Sequence, residues 1–369
     1  MQIKIAERLH PFSHRPGTAL ILPGTSLRLQ IFPACVRVDD LSEADPVNLS
    51  TIFFDIRGPL EDFTIVQDLE KGNIRVWGWS SDGYFCYRMA PLKNEPGIIF
   101  NIEKTPQAGV ACLCSGLWQL RGSLPAKSGD SLVLIPKAAS SSTGEKWQMP
   151  LLERLSLGNH KAQDWDLIKR REDFTEIFPL WHRLGLTVPP QVPSSVPLLE
   201  NCQHSLERNS PEHILPQFYK LFLAGFEGLL VPRRSDTDFQ GITEASKEMN
   251  GSPLFLLTQG AHLIRFLFVQ GKQEELELLP SLPPEFHCGR FIHVKCENFG
   301  VMSMEWTKKS LRRIVFQASV SRRLFLKFCQ GEKRCRLRLS ESDRGAHYLN
   351  EAPLDVVAGQ NYWFDNFER

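Results

Sequence analysis

The chain has 369 residues, 42% of them apolar and 23% charged, with Lys+Arg 43 against Asp+Glu 42 and a formal net charge of +1. The length predicts two or three domains, or one large composite, at roughly 100–200 residues per domain. The composition excludes a disordered chain, a coiled coil and a collagen-like fibre, and the balanced charge argues against a globally basic nucleic-acid binder.

The N-terminus, Met1 to Arg8, has neither the apolar run nor the small-residue cleavage site of a secretory signal. Residues 1–150 then predict an antiparallel β-sandwich. Short apolar runs alternate with turn residues: Ala19 to Leu22, Leu27 to Phe32, Thr51 to Ile56, Ile74 to Trp79, Tyr84 to Met89, Ile98 to Ile102 and Ser131 to Ile135. From Ser26 to Ile31 every second residue is apolar, the mark of a strand with one buried face. Ser80-Ser81-Asp82-Gly83 between two aromatic-rich runs predicts a hairpin. The polar stretch Ala138 to Lys146 reads as a loop.

Residues 151–272 change period and read as a short helical segment. Ala162 to Leu184 carries Trp165, Ile168, Phe174, Ile177, Phe178 and Trp181 at three- and four-residue spacings. Val188 to Pro197 is a proline-rich, extended connector. Ser210-Pro211 and Ser252-Pro253 each place a capping serine before a proline at the first helical position, and Pro216 predicts a kink or a delayed start. The longest apolar stretch, Leu254 to Val269, is shorter than the roughly 20 residues of a membrane span. It is interrupted by Gln259, His262 and Arg265 and predicts a central buried helix. Residues 273–369 return to strand-length runs and predict a small C-terminal β-domain. The fold class expected is therefore α+β.

The odd cysteine count of nine fits reduced thiols in a cytoplasm, without a disulfide framework. His287, Cys288, His293 and Cys296 form a cluster, but the two histidines are six apart, outside the usual H-x₃₋₅-H spacing of zinc sites. No metal or cofactor is expected. There is no phosphate-cradling loop, no G-x-S-x-G elbow and no H-E-x-x-H.

The stretch Leu276-Glu277-Leu278-Leu279-Pro280-Ser281-Leu282-Pro283, followed by Phe299-Gly300-Val301-Met302-Ser303-Met304-Glu305-Trp306 and a strand from Leu311, resembles the junction between the last barrel helix and the C-terminal β-domain in family 95 glycoside hydrolases. That is the inverting α-L-fucosidase and α-L-galactosidase group. The similarity covers Pro253 to Phe328. It implies an N-terminal β-supersandwich, an (α/α)₆ barrel and a C-terminal β-domain, acting on glycosides. Twelve helices with loops need on the order of 200 residues. The span from Leu151 to Gln270 is too short for them, so the helical part is expected to be an incomplete barrel.

Inverting hydrolysis needs an acid and a base about 6.5–9.5 Å apart. The region Phe226 to Gly241 supplies the candidates: Glu227 as the acid, in an apolar stretch where desolvation would raise its pKa, and Asp236 or Asp238 as the base, with Arg233 and Arg234 to anchor substrate. The same residues also read as solvated loop charges, with Glu227 paired to a basic neighbour. Asp164-Trp165-Asp166 suits sugar stacking flanked by hydroxyl acceptors; it equally suits a helix start with the tryptophan packed inward. A basic tract from Lys308 to Arg338, with Arg334, Arg336 and Arg338 on one strand face, suggests either polyanion binding or a solvated sheet face.

The expected function is a carbohydrate-active, glycoside hydrolase-like protein whose partner is an oligosaccharide or glycan. The alternatives are a non-catalytic glycan- or protein-binding relative, and polyanion binding through the C-terminal sheet. Nucleic acid is not expected as a partner, and the sequence does not set the oligomeric state.

Overall fold

A computed structural model describes residues 2–139, 144–192, 196–208, 211–234, 251–340 and 342–369. The first twelve strands are β1 (Phe12–Ser13), β2 (Thr18–Ile21), β3 (Leu27–Phe32), β4 (Cys35–Asp40), β5 (Val47–Phe54) and β6 (Glu61–Asp68), then β7 (Asn73–Ser80), β8 (Gly83–Pro91), β9 (Ile98–Lys104), β10 (Cys112–Gly116), β11 (Trp118–Arg121) and β12 (Ser131–Pro136). They form two antiparallel sheets, in the orders β1-β6-β7-β8-β9-β12-β11 and β10-β5-β4-β3-β2. The inner faces share one core, where Phe54 of β5 stacks on Tyr87 of β8 at 5.2 Å. In β3, Leu27, Leu29 and Ile31 are buried while Arg28, Gln30 and Phe32 are partly exposed, as the alternation requires. The hairpin at Ser80 closes as expected: Ser80 pairs with Gly83, and the Ser80 hydroxyl donates to the Gly83 carbonyl at 2.8 Å. Strands β4 and β6, which carry Asp, Glu, Arg and Thr among their apolar residues, have no clean apolar run and are not evident from the sequence.

The middle of the chain contains β13 (Arg154–Ser156), α1 (Trp165–Arg171), α2 (Phe174–Gly185), α3 (Pro197–Glu207), α4 (Pro211–Gly225), β14 (Phe226–Glu227), β15 (Val231–Pro232) and α5 (Phe255–Phe266). The helical run from Ala162 to Leu184 is two helices. Glu172 adopts a left-handed conformation (φ 53°) that ends α1, and the Asp173 side chain then accepts from Thr175 N to start α2. Pro216 lies inside α4, which begins at Pro211 without delay. At the start of α5, Ser252 Oγ accepts from Leu254 N at 3.1 Å. Helix α5 is central, with Leu257 and Ile264 fully buried. Its neighbour α2 touches it closely through Gly185 and Gly260. Among the described residues no helix is long and apolar enough to cross a membrane.

The remaining strands are β16 (Val269–Lys272), β17 (Glu275–Leu278), β18 (Cys288–Cys296), β19 (Gly300–Thr307), β20 (Ser310–Ala318), β21 (Arg322–Phe328), β22 (Arg334–Arg338), β23 (Ala346–Leu349), β24 (Pro353–Val356) and β25 (Asn361–Glu368). They build a sheet in the order β13-β18-β19-β20-β25-β22-β23 and a smaller one, β16-β17-β21-β24, in which β17 and β21 run parallel. The architecture is α+β, with an N-terminal β-sandwich and a C-terminal β-domain on either side of a helical segment. The three parts are not separate bodies. Strand β13, from the helical stretch, pairs with β18 of the C-terminal sheet, and one contiguous apolar core runs from Leu9 to Phe364.

Candidate functional site

The hairpin that follows α4 sets the site. Strands β14 and β15 pair across Gly228, Leu229 and Leu230, with Gly228 at φ 47°. A Cβ on Gly228 would stand 2.1 Å from the Ala19 carbonyl oxygen, so only glycine lets the hairpin close onto β2. Leu229 N donates to that same oxygen at 2.8 Å. On the other side, Trp165 Nε1 donates to the Gly228 carbonyl. The hairpin is thus pinned between the N-terminal sandwich and the first turn of α1, with the Glu227 side chain at its edge.

Glu227 is not the desolvated acid its apolar neighbours suggest. Its side chain is 38% exposed, and its Oε1 accepts from Arg28 Nη1 at 3.2 Å. The apolar residues around it in sequence, Phe226 and Leu229, turn into the core, while Glu227 turns out. Behind the pair, Arg28 Nε and Nη2 donate to Asp39 Oδ2 at 3.1 and 2.9 Å. Asp39 is fully buried and also accepts from Arg37 Nε and Asn48 Nδ2, each at 2.9 Å. Burial alone would raise its pKa; these four donors outweigh it and hold the carboxyl below the ordinary aspartate range. Arg28 is therefore a strut between the buried Asp39 and Glu227.

Two adjoining cavities, of about 290 and 220 Å³, share Trp165, Lys169, Glu227 and Gly228 in their walls. The larger has an aromatic floor of Trp165, Phe222 and Phe226 and is bordered by Arg233. The smaller is bordered by Arg15 and Asp166, which pair at 3.3 Å. Arg233 serves two ends: its Nε and Nη2 donate to the Ala224 and Leu223 carbonyls at 3.0 Å, closing the C-terminus of α4 where the helix dipole favours a cation. Lys169, on α1, stands where the cavities meet. Desolvation there lowers its pKa, and the charges of Arg15 and Arg233 add to the effect against Asp166 and Glu227.

Trp165 and Asp164 have structural roles. Trp165 is 3% exposed, so its indole lines the cleft floor without offering an open stacking face. Asp164 caps α1, accepting from Asp166 N at 3.0 Å and Leu167 N at 3.3 Å. Replacing Asp164 by alanine is expected to cost about 1 kcal/mol, read as a lower urea midpoint. A loss of ligand binding out of proportion to that cost would instead place Asp164 in the site. Arg234 borders neither cavity and lies 3.8 Å from the exposed Asp45. Asp236 and Asp238 lie outside the described residues.

Arg15, Lys169, Arg28 and Asp39 are the site residues that sequence reading misses. Arg28 and Asp39 face each other across the β3–β4 ladder, a signal available only once β4 is recognised as a strand.

The basic C-terminal tract is extensively paired. Arg334 meets Glu368 across the β22–β25 ladder, and Arg336 and Arg338 both reach Asp365 at 2.7 Å. Lys327 meets Glu277 at 3.0 Å and Arg323 meets Asp355 at 2.9 Å. Arg290 and Arg313 both hold Glu305. All nine cysteines are free thiols. Among the described residues no group of three His, Cys, Asp or Glu side chains is placed to hold a metal ion.

No protein-family model matches this chain. Nor does any curated protein match it significantly.

Proposed function

We propose that this chain is a carbohydrate-binding protein of glycoside hydrolase-like build, and that it binds its ligand in the Trp165–Glu227 cleft without cleaving it. The observation that carries the reading is the state of the two carboxylates bordering the cleft: Asp166 is held by Arg15 and Glu227 by Arg28. Carboxylates clamped in this way are good acceptors for sugar hydroxyls. Neither sits in the apolar pocket that a proton-donating carboxyl needs. The apolar wall and polar rim suit a small ligand rich in hydroxyl groups. The cavities lie at or below the lower end of the roughly 300–1,000 Å³ usual for ligand sites, which favours a short saccharide.

The test combines a panel of aryl glycosides with thermal shifts against neutral and acidic saccharides. The expected result is no turnover, with a ligand-dependent rise in Tm that shrinks in Glu227→Gln. Turnover that disappears in Glu227→Gln would establish the hydrolase reading instead, with Glu227 in the chemistry. No shift with any saccharide would remove the carbohydrate assignment.

A further inference from the structure

Among the described residues three cationic side chains border the cleft, Arg15, Lys169 and Arg233, with two carboxylates, Asp166 and Glu227. Both carboxylates are already engaged, and the Glu227 partner, Arg28, comes from outside the cleft wall and adds a further positive charge behind it. Lys169 has no hydrogen-bond or ion-pair partner among the described residues, although Asp166 and Glu227 border the same space. An ammonium on the rim of a partly desolvated cleft, with guanidinium groups at either end, is a place where an anion gains more than in open solvent. Trp165, Phe222 and Phe226 line the same space; each is 6% exposed or less, so they form an apolar wall and not an open stacking face. Apolar surface and positive charge thus sit within one small volume.

We propose that the ligand is an acidic sugar, a hexose whose C6 substituent is anionic, with the anion seated at Lys169. This rests on the carbohydrate reading above. A carboxylate (a hexuronide) and a phosphate (a hexose 6-phosphate) offer the same chemistry to Lys169, and the experiment separates them. Because Lys169 is exposed on α1, replacing it leaves the core untouched.

The experiment is calorimetric titration of the full chain with methyl glucuronoside and methyl galacturonoside, with glucose 6-phosphate and galactose 6-phosphate, and with the neutral methyl glucoside and galactoside. One acidic class is expected to bind about tenfold or more tighter than its neutral counterpart, the gain of one charge-assisted hydrogen bond. That advantage should shrink as salt is raised, disappear in Lys169→Met and persist in Lys169→Arg. The stronger of the two acidic arms identifies the anion. Equal binding of acidic and neutral hexosides, or an acidic preference that survives in Lys169→Met, overturns the inference while leaving the carbohydrate reading in place. No binding by any of the six removes both.

Discussion

Replacing Glu153 by alanine lowers the stability of this protein by about 3–5 kcal/mol, the cost of stranding buried charges. Glu153 is 6% exposed and joins three parts of the chain that are far apart in sequence. Arg265 Nε of α5 donates to its two oxygens at 3.1 and 3.2 Å, and Lys295 N of β18 donates to Oε1 at 2.9 Å. The fully buried His182 of α2 brings Nε2 to 3.5 Å. Next to it, Arg183 Nη1 donates to the Glu153 carbonyl and Nε to the Leu69 carbonyl, each at 3.1 Å, which ties the N-terminal sandwich to the same point. Removal of the carboxylate leaves the partly buried Arg265 guanidinium without its counter-charge and the Lys295 N–H without its acceptor. Chemical denaturation measures the effect, and a loss below about 1 kcal/mol, the value of an exposed pair, would show that the network is not what joins these parts. The same group sets a pH dependence. Burial alone would raise the Glu153 pKa, but His182, Arg265 and the Lys295 amide prevail and hold it below its ordinary value of 4.5. Its contribution to stability is therefore complete at neutral pH and is lost as the pH falls below 4.5 through the folded-state value. The gap between wild type and Glu153→Ala should narrow over that acid range and stay constant above it.

Gly260→Ala is expected to destabilise the protein by about 1–3 kcal/mol, although glycine to alanine within a helix usually stabilises by about 0.4–1 kcal/mol. The sign is reversed by contact, not by backbone conformation. A Cβ at Gly260 would stand 2.4 Å from Trp181 Cζ2 and 2.6 Å from Trp181 Nε1, and Trp181 is fully buried against Phe178, Phe218 and Phe226. It has no room to turn aside. On the facing helix, a Cβ at Gly185 would stand 2.5 Å from the Leu257 carbonyl oxygen. The two glycines let α2 and α5 approach until their backbones nearly touch. A Tm for Gly260→Ala equal to or above that of wild type would show that α5 shifts freely and that this contact is not tight.

Much of the fold is legible in the sequence because it is periodic and local. The alternation at Leu27, Leu29 and Ile31 and the turn at Ser81-Asp82 each act over a few residues, and each produces the element it predicts; the serine before Pro253 lies close to the start of α5, but the helix begins two residues after that proline, at Phe255, with no side-chain cap. Among the strands that escape notice, β4 carries charges needed elsewhere: Arg37 and Asp39 serve the Arg28 strut. The candidate site is less legible for a related reason. The Phe226–Glu227 stretch draws attention because a carboxylate among apolar residues is unusual, yet its environment depends on which neighbours turn inward. That is settled by the hairpin closing on Ala19 and by the bond from Trp165 to Gly228.

By itself, then, the sequence determined the order of β, helical and β parts, the faces of the regular strands and the central place of α5. The tertiary structure alone decided which charges meet. Glu227 and Arg28 are 199 residues apart in the chain, and Glu153 and Arg265 are 112 apart. The arginine stripe of β22 is paired because the β22–β25 register sets it beside Glu368 and Asp365. Hydrophobic burial follows a period that a short segment carries within itself. A charge pair depends on position in space, and only the packing of distant segments brings its two halves within reach.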